Sequence, residues 1–145
     1  MSKIKSFRGK LADGSIETIS LHTNTGSTGY KITKFQLMPE DPVDITSTAV
    51  VKIFSIPQTA TTNEMDFSDN TLLAAGFMEN SNSASFFGGQ TVIFDNTTFN
   101  QDIDITSAVS SGNVNYYIEL ESMPLALDEN TVATLKDIRN IIRDE

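Results

Sequence analysis

Residues Asn113 to Met123 read NVNYYIELESM. Val114, Tyr116, Ile118 and Leu120 fall on one side of this stretch, and Asn115, Tyr117, Glu119 and Glu121 fall on the other. An alternation of period two, built from β-branched and aromatic residues, marks a strand with one buried face. The stretch is therefore expected to be a central rib of a β-sheet. Pro124 follows it, and then comes the one convincing helical pattern in the chain.

That pattern runs from Glu129 to the C-terminus. Asp128 suits the N-cap, and Glu129 suits the positive end of the helix dipole. Val132, Leu135, Ile138 and Ile142 recur at three- and four-residue spacing and make one apolar stripe. Arg139 and Arg143 stand near the C-terminal end, where positive charge is favoured. A helix of about fifteen residues is marginal alone, so the stripe should pack on the rest of the chain or on a neighbour.

Ahead of the rib, β-prone runs alternate with turn signals. Ile4 to Leu11 and Ile16 to His22 flank Ala12-Asp13-Gly14-Ser15, and Asp-Gly between two such runs predicts a hairpin. Tyr30 to Met38 reads as a strand with Tyr30, Ile32, Phe35 and Leu37 buried. The change of phase between Ile32 and Phe35 predicts a bulge, and Pro39 ends the run. Thr48 to Ile56 is a strand stopped by Pro57. Gln58 to Asn70 is polar but contains Met65 and Phe67, so it should lie over the core. Thr71 to Met78 fits a buried strand or a helical turn, because periodicity cannot separate them over so few residues. Asn80 to Gly89 reads as a loop, Thr91 to Phe94 as a strand, and Phe99 to Ile105 as another with Ile103 and Ile105 inward.

Strand after strand with short connections predicts a mainly β fold, an antiparallel β-sandwich of jelly-roll-like form with one C-terminal α-helix. At 145 residues one core is expected. Residues 1–128 would form the sandwich, with a basic N-terminal arm or hairpin, and residues 129–145 the helix. The abundance of Thr, Ser and Asn agrees with strands joined by many turns.

Composition removes several kinds of chemistry. There is no cysteine, so disulfide scaffolds, thiol nucleophiles and thiolate metal sites are excluded. His22 is the only histidine, which excludes two-histidine mechanisms and histidine-based metal sites. Gly26, Gly29, Gly88 and Gly89 match neither phosphate-binding glycine pattern. Glu119 and Glu121 share a strand face about 7 Å apart. Paired carboxylates can cleave glycosidic bonds, but on an amphipathic strand they are more often a solvated face. Asp66-Phe67-Ser68-Asp69-Asn70 offers oxygens to calcium, yet an Asp-rich turn is commoner and the spacing departs from an EF-hand. Asn96-Thr97-Thr98 is a glycosylation sequon without a secretory context. Phe86-Phe87 could form an exposed contact, but buried core aromatics are the default. No catalytic residue, cofactor or metal is expected. No apolar run reaches the ~20 residues of a membrane span, and the basic N-terminus lacks a signal-peptide core.

Net charge is -9, and its distribution is uneven. Lys3, Lys5, Arg8 and Lys10 sit in the first ten positions. From Ile53 to Leu135 there are eleven carboxylates and no Lys or Arg. Basic residues return as Lys136, Arg139 and Arg143. An acidic body is the wrong sign for nucleic acid. Segregated charge instead suits contacts between basic ends and an acidic body, within the chain or with a partner. The candidate contact residues are Lys3, Lys5, Arg8 and Lys10, with Leu135, Ile138, Arg139, Ile142 and Arg143 of the final helix.

Three segments carry a resemblance. GYKITKFQLMP (Gly29 to Pro39), VNYYIELESM (Val114 to Met123) and ENTVATLKDIRNIIRDE (Glu129 to Glu145) are similar to segments of small virion structural proteins of tailed bacteriophages, marine ones in particular. The resemblance covers the front third and the last third of the chain and holds no catalytic motif. It implies a structural subunit present in many copies, made in the bacterial host cytoplasm and built into the virion. The favoured expectation is a head decoration (cement) protein that contacts capsid protein and copies of itself, with a tail or neck protein second. A different class is a carbohydrate- or receptor-binding β-sandwich module of a phage tail or neck. Such sites stack sugars on exposed aromatics, and with no Trp in the chain Tyr117 is the best outward candidate.

Overall fold

The computed structural model describes residues 3–21, 28–41, 47–81, 86–94 and 98–124. The chain forms eight strands in two antiparallel sheets, with no helix among the described residues. β1 (Lys3–Leu11), β8 (Val114–Pro124) and β3 (Thr28–Pro39) form a three-stranded sheet in the order β1-β8-β3. β2 (Ile16–Ile19), β7 (Ile103–Val109), β4 (Ser47–Phe54), β5 (Leu72–Ser81) and β6 (Phe86–Ile93) form a five-stranded sheet in that order.

β8 is the rib of the smaller sheet, paired on both sides along its length. Its burial alternates as the sequence requires. Val114, Ile118 and Leu120 are fully buried and Tyr116 nearly so, while Asn115, Tyr117, Glu119 and Glu121 are half-buried on the other face. β3 shifts register between Ile32 and Lys34. That bulge restores the phase, so Tyr30, Ile32 and Phe35 all enter the core. Pro39 closes β3 opposite Val114, on an edge strand where a missing donor is tolerated.

The two sheets share one apolar cluster. Leu11, Ile32, Phe35, Ile118 and Leu120 come from the small sheet, and Val51, Ile53, Leu73, Met78, Ile103 and Ile105 from the large one. A second cluster, Phe54, Leu72 and Ala75 with Phe94, lies on the opposite side of the large sheet. The long β4–β5 connection covers part of that outer face. Lys52 donates to the Glu64 carbonyl at 2.7 Å, and Asp104 accepts from the Gln58 amide at 2.9 Å and the Thr18 hydroxyl at 2.7 Å. Phe67 meets Phe94 edge-on at 5.1 Å but stays 56% exposed. The connection therefore lies over the outer face of the large sheet and not over the shared core.

Three sequence expectations need correction. Ala12 to Ser15 is a tight turn with Gly14 at φ 76°, but its flanking strands do not pair with each other. β1 joins β8 and β2 joins β7, so the turn carries the chain from one sheet to the other. A local turn signal fixes the reversal and not the partner. The supposed loop at Asn80 to Gly89 is largely strand, with β5 running to Ser81 and β6 starting at Phe86. The strand expected at Phe99 to Ile105 instead spans Ile103–Val109, and Phe99 makes an isolated bridge to Tyr30. Thr71 to Met78 resolves as strand β5. The expected helix at 129–145 lies outside the described residues.

Candidate interaction surface

Strand parity divides the four N-terminal cations. On β1 the residues facing the core side are Lys3, Lys5, Phe7, Gly9 and Leu11, opposite Ser122, Leu120, Ile118, Tyr116 and Val114. Arg8 and Lys10 face the other way, with Ile4 and Ser6. The basic segment is no free arm, because β1 pairs with β8 over its full length.

Lys5 serves the fold. Ser122 is small and lies between β1 and β3, so the Lys5 side chain crosses the sheet to Tyr30. Its Nζ lies 3.4 Å from the Tyr30 hydroxyl and 5.5 Å from the ring centroid.

The outer face of the small sheet carries the remaining charge. Across β1, β8 and β3 the rows are Ile4–Glu121–Lys31, Ser6–Glu119–Lys34, Arg8–Tyr117–Gln36 and Lys10–Asn115–Met38. An acidic rib is thus flanked by basic strands. Lys31 reaches Glu121 at 3.9 Å, and Lys10 reaches Glu40 at 3.3 Å. Asn113 first, then Lys10, holds the Glu40 carboxyl below its ordinary range. Part of the charge segregation in the sequence is therefore resolved inside one chain. Arg8 and Lys34 form no ion pair among the described residues. Ile4 and Met38, at opposite corners of the face, are 57% and 60% exposed.

Tyr117 lies at the centre of this face. Its hydroxyl donates to Glu119 at 2.6 Å, and that bond raises the phenol above its ordinary pKa. Glu119 is thus engaged by Tyr117 and Glu121 by Lys31, so each of the two glutamates has its own neighbour. Asp66 and Asp69 act in local turns. Asp66 accepts from the Ser68 amide and hydroxyl, which lowers its pKa, and Asp69 accepts from the Thr71 amide and hydroxyl. Among the described residues no group of three or more His, Asp or Glu is arranged to hold a metal.

Leu135, Ile138, Arg139, Ile142 and Arg143 lie outside the described residues, as do His22, Asn96 and Thr97. Phe86 and Phe87 lie on β6. Lys31, Lys34, Ile4 and Met38 were not singled out as contact residues from the sequence, although counting parity from Leu11 and across the β3 bulge places them on one face.

A second feature lies between the edges of β3 and β6. An open groove of about 300 Å³ is lined by residues that include Leu37, Met38, Phe77, Gly89 and Gln90. No protein-family model, curated protein or solved structure matches this chain. No helix among the described residues is long and apolar enough to cross a membrane.

Proposed function

We propose that this chain is a non-enzymatic structural subunit of a tailed-phage particle, a capsid decoration protein that binds the shell through the outer face of its small sheet. One observation carries the reading. Two of the segments that resemble phage virion proteins, Gly29 to Pro39 and Val114 to Met123, are neighbouring antiparallel strands, paired along their length on both sides of the bulge after Ile32. The β part of the resemblance therefore falls on one pair of adjacent strands. The fold on this reading is a jelly-roll-like β-sandwich. The chain crosses between sheets at β1–β2, β2–β3, β3–β4 and β7–β8, and β6 stays beside β5. The apolar stripe of Val132, Leu135, Ile138 and Ile142, which lies outside the described residues, is the further contact this reading expects, against the sandwich or a neighbouring subunit.

The contact face suits a many-copy subunit. Arg8 and Lys34 supply positive charge that no described carboxylate pairs, and the exposed Ile4 and Met38 supply apolar corners. A polar face with a few apolar anchors is the usual composition of a non-obligate interface. The partners are capsid protein and further copies of the chain, with neither nucleic acid nor membrane involved. The protein is made in the host cytoplasm and resides in the virion.

The test is co-sedimentation of the purified protein with capsids lacking it, across a salt series. Binding that saturates at many copies per particle and weakens with salt supports the reading. Absence of binding at low salt contradicts it.

A further inference from the structure

We infer that β6 is a self-pairing edge, through which two copies of this chain join their large sheets across a two-fold axis. The inference does not depend on the particle reading, because such a dimer would form in the absence of a virion.

Among the described residues the two sheets have four outer strands, and three of them are guarded. β1 carries Lys3, Lys5, Arg8 and Lys10 within nine residues. β2 has four residues. β3 holds Lys31, Lys34 and the bulge after Ile32, and at Tyr30 it exchanges two backbone hydrogen bonds with Phe99, 2.7 and 2.9 Å. Charge, shortness and bulges are the usual means of keeping edge strands from pairing.

β6 has none of these. Its sequence is FFGGQTVI, eight residues with no charge and no proline, paired without a register shift to β5 from Ser81↔Phe86 to Ala74↔Ile93. No described strand pairs its other edge. Gly89 lets β6 lie close on β5, since a Cβ there would fall 2.6 Å from the Phe77 carbonyl oxygen.

Charge selects the occupant. A β1 strand from another copy would bring four cations to an edge with no carboxylate, whereas a second β6 brings none. A two-fold axis normal to the sheet requires outer-face residues to oppose outer-face residues. The register centred on Gln90 satisfies this and pairs Phe87 to Ile93 with the same residues of the second copy. Gln90 and Val92 lie on the outer face, with Val92 38% exposed and Gln90 exposed. The open groove beside the same edge, lined in part by Leu37 and Gly89, would be partly covered by a second copy.

The test is sedimentation equilibrium of the wild-type chain with Gln90→Lys and Gln90→Glu. Wild type should dimerise. Like charges facing each other across the axis should weaken each variant dimer up to about fivefold, with unchanged circular dichroism. An equimolar mixture of the two variants should recover association as a heterodimer. Wild type that stays monomeric at the highest attainable concentration overturns the inference. So does a Gln90→Lys protein that associates as wild type does, or a mixture that fails to recover association. Concentration-dependent protection of β6 amides from hydrogen exchange in the wild type provides a readout without substitution, and its absence also counts against the inference.

Discussion

The Tyr116 hydroxyl, on β8 of the small sheet, donates to the Glu17 carboxylate, on β2 of the large sheet, at 2.9 Å. Gly9 makes this possible. It stands opposite Tyr116 in the ladder, and a Cβ there would lie 2.8 Å from the ring. The phenol therefore crosses β1 where β1 has no side chain, and ties the sheets together beside the turn that joins them. Tyr116→Phe should lower unfolding stability by about 1 kcal/mol, the usual net value of one hydrogen bond. Gly9→Ala should displace the ring, so the two substitutions should be non-additive in chemical denaturation. Burial first, and then the Glu17 bond, hold the phenol above its ordinary pKa. The folded state keeps this proton where the unfolded chain loses it, so this share of stability is present below about pH 10 and is lost as pH rises through the folded pKa. Tyr116→Phe should lack that alkaline loss.

Ile118 and Leu120 are fully exposure-free on the rib. Truncating either to Ala should cost about 2–5 kcal/mol, because the transfer term and the residual cavity add. Thermal or urea unfolding of the isolated protein measures it.

Lys52 is buried beneath the β4–β5 connection, where burial lowers its pKa. The unfolded chain holds this proton more tightly, so the penalty is present at neutral pH. Stability should therefore rise as pH climbs through the folded pKa toward the ordinary lysine value. Lys52→Met keeps the stem that packs over the sheet and removes the titration. The stability difference between wild type and this variant should thus shift in favour of wild type with increasing pH, as read by urea midpoints from pH 7 upward.

Strong alternation and phase changes were legible in the sequence. The Val114 to Leu120 pattern placed the rib, and the Ile32-to-Phe35 shift placed the bulge, because both are properties of one strand. Partner choice was not legible. The Asp13-Gly14 turn looks the same whether its strands pair or part, and here they part between sheets. β6 was obscured because FFGG shows no alternation and glycine lowers strand propensity. On the candidate surface the cations were visible as a cluster, but the cluster mixes two faces. Parity alone separates Lys5, which reaches Tyr30, from Arg8 on the outer face. The use of Gly9 required the register.

Arg8 and Lys34 lie on that outer face without described ion pairs. Arg8→Glu with Lys34→Glu should weaken capsid attachment while the thermal midpoint changes little, since exposed charges contribute at most about 1 kcal/mol to folding. Lys5→Ala, by contrast, should change stability slightly and leave attachment intact. Binding isotherms at low and high salt, beside thermal melts, separate the two effects.

The proposal that this chain is a repeated component of the virion shell can be put to quantitative mass spectrometry of purified virions, combined with gold-labelled antibody against the chain. A decoration protein should be present in many copies per particle, with label over the head. Absence of the chain from purified virions, or label confined to the tail tip with glycan binding through Tyr117, would contradict it.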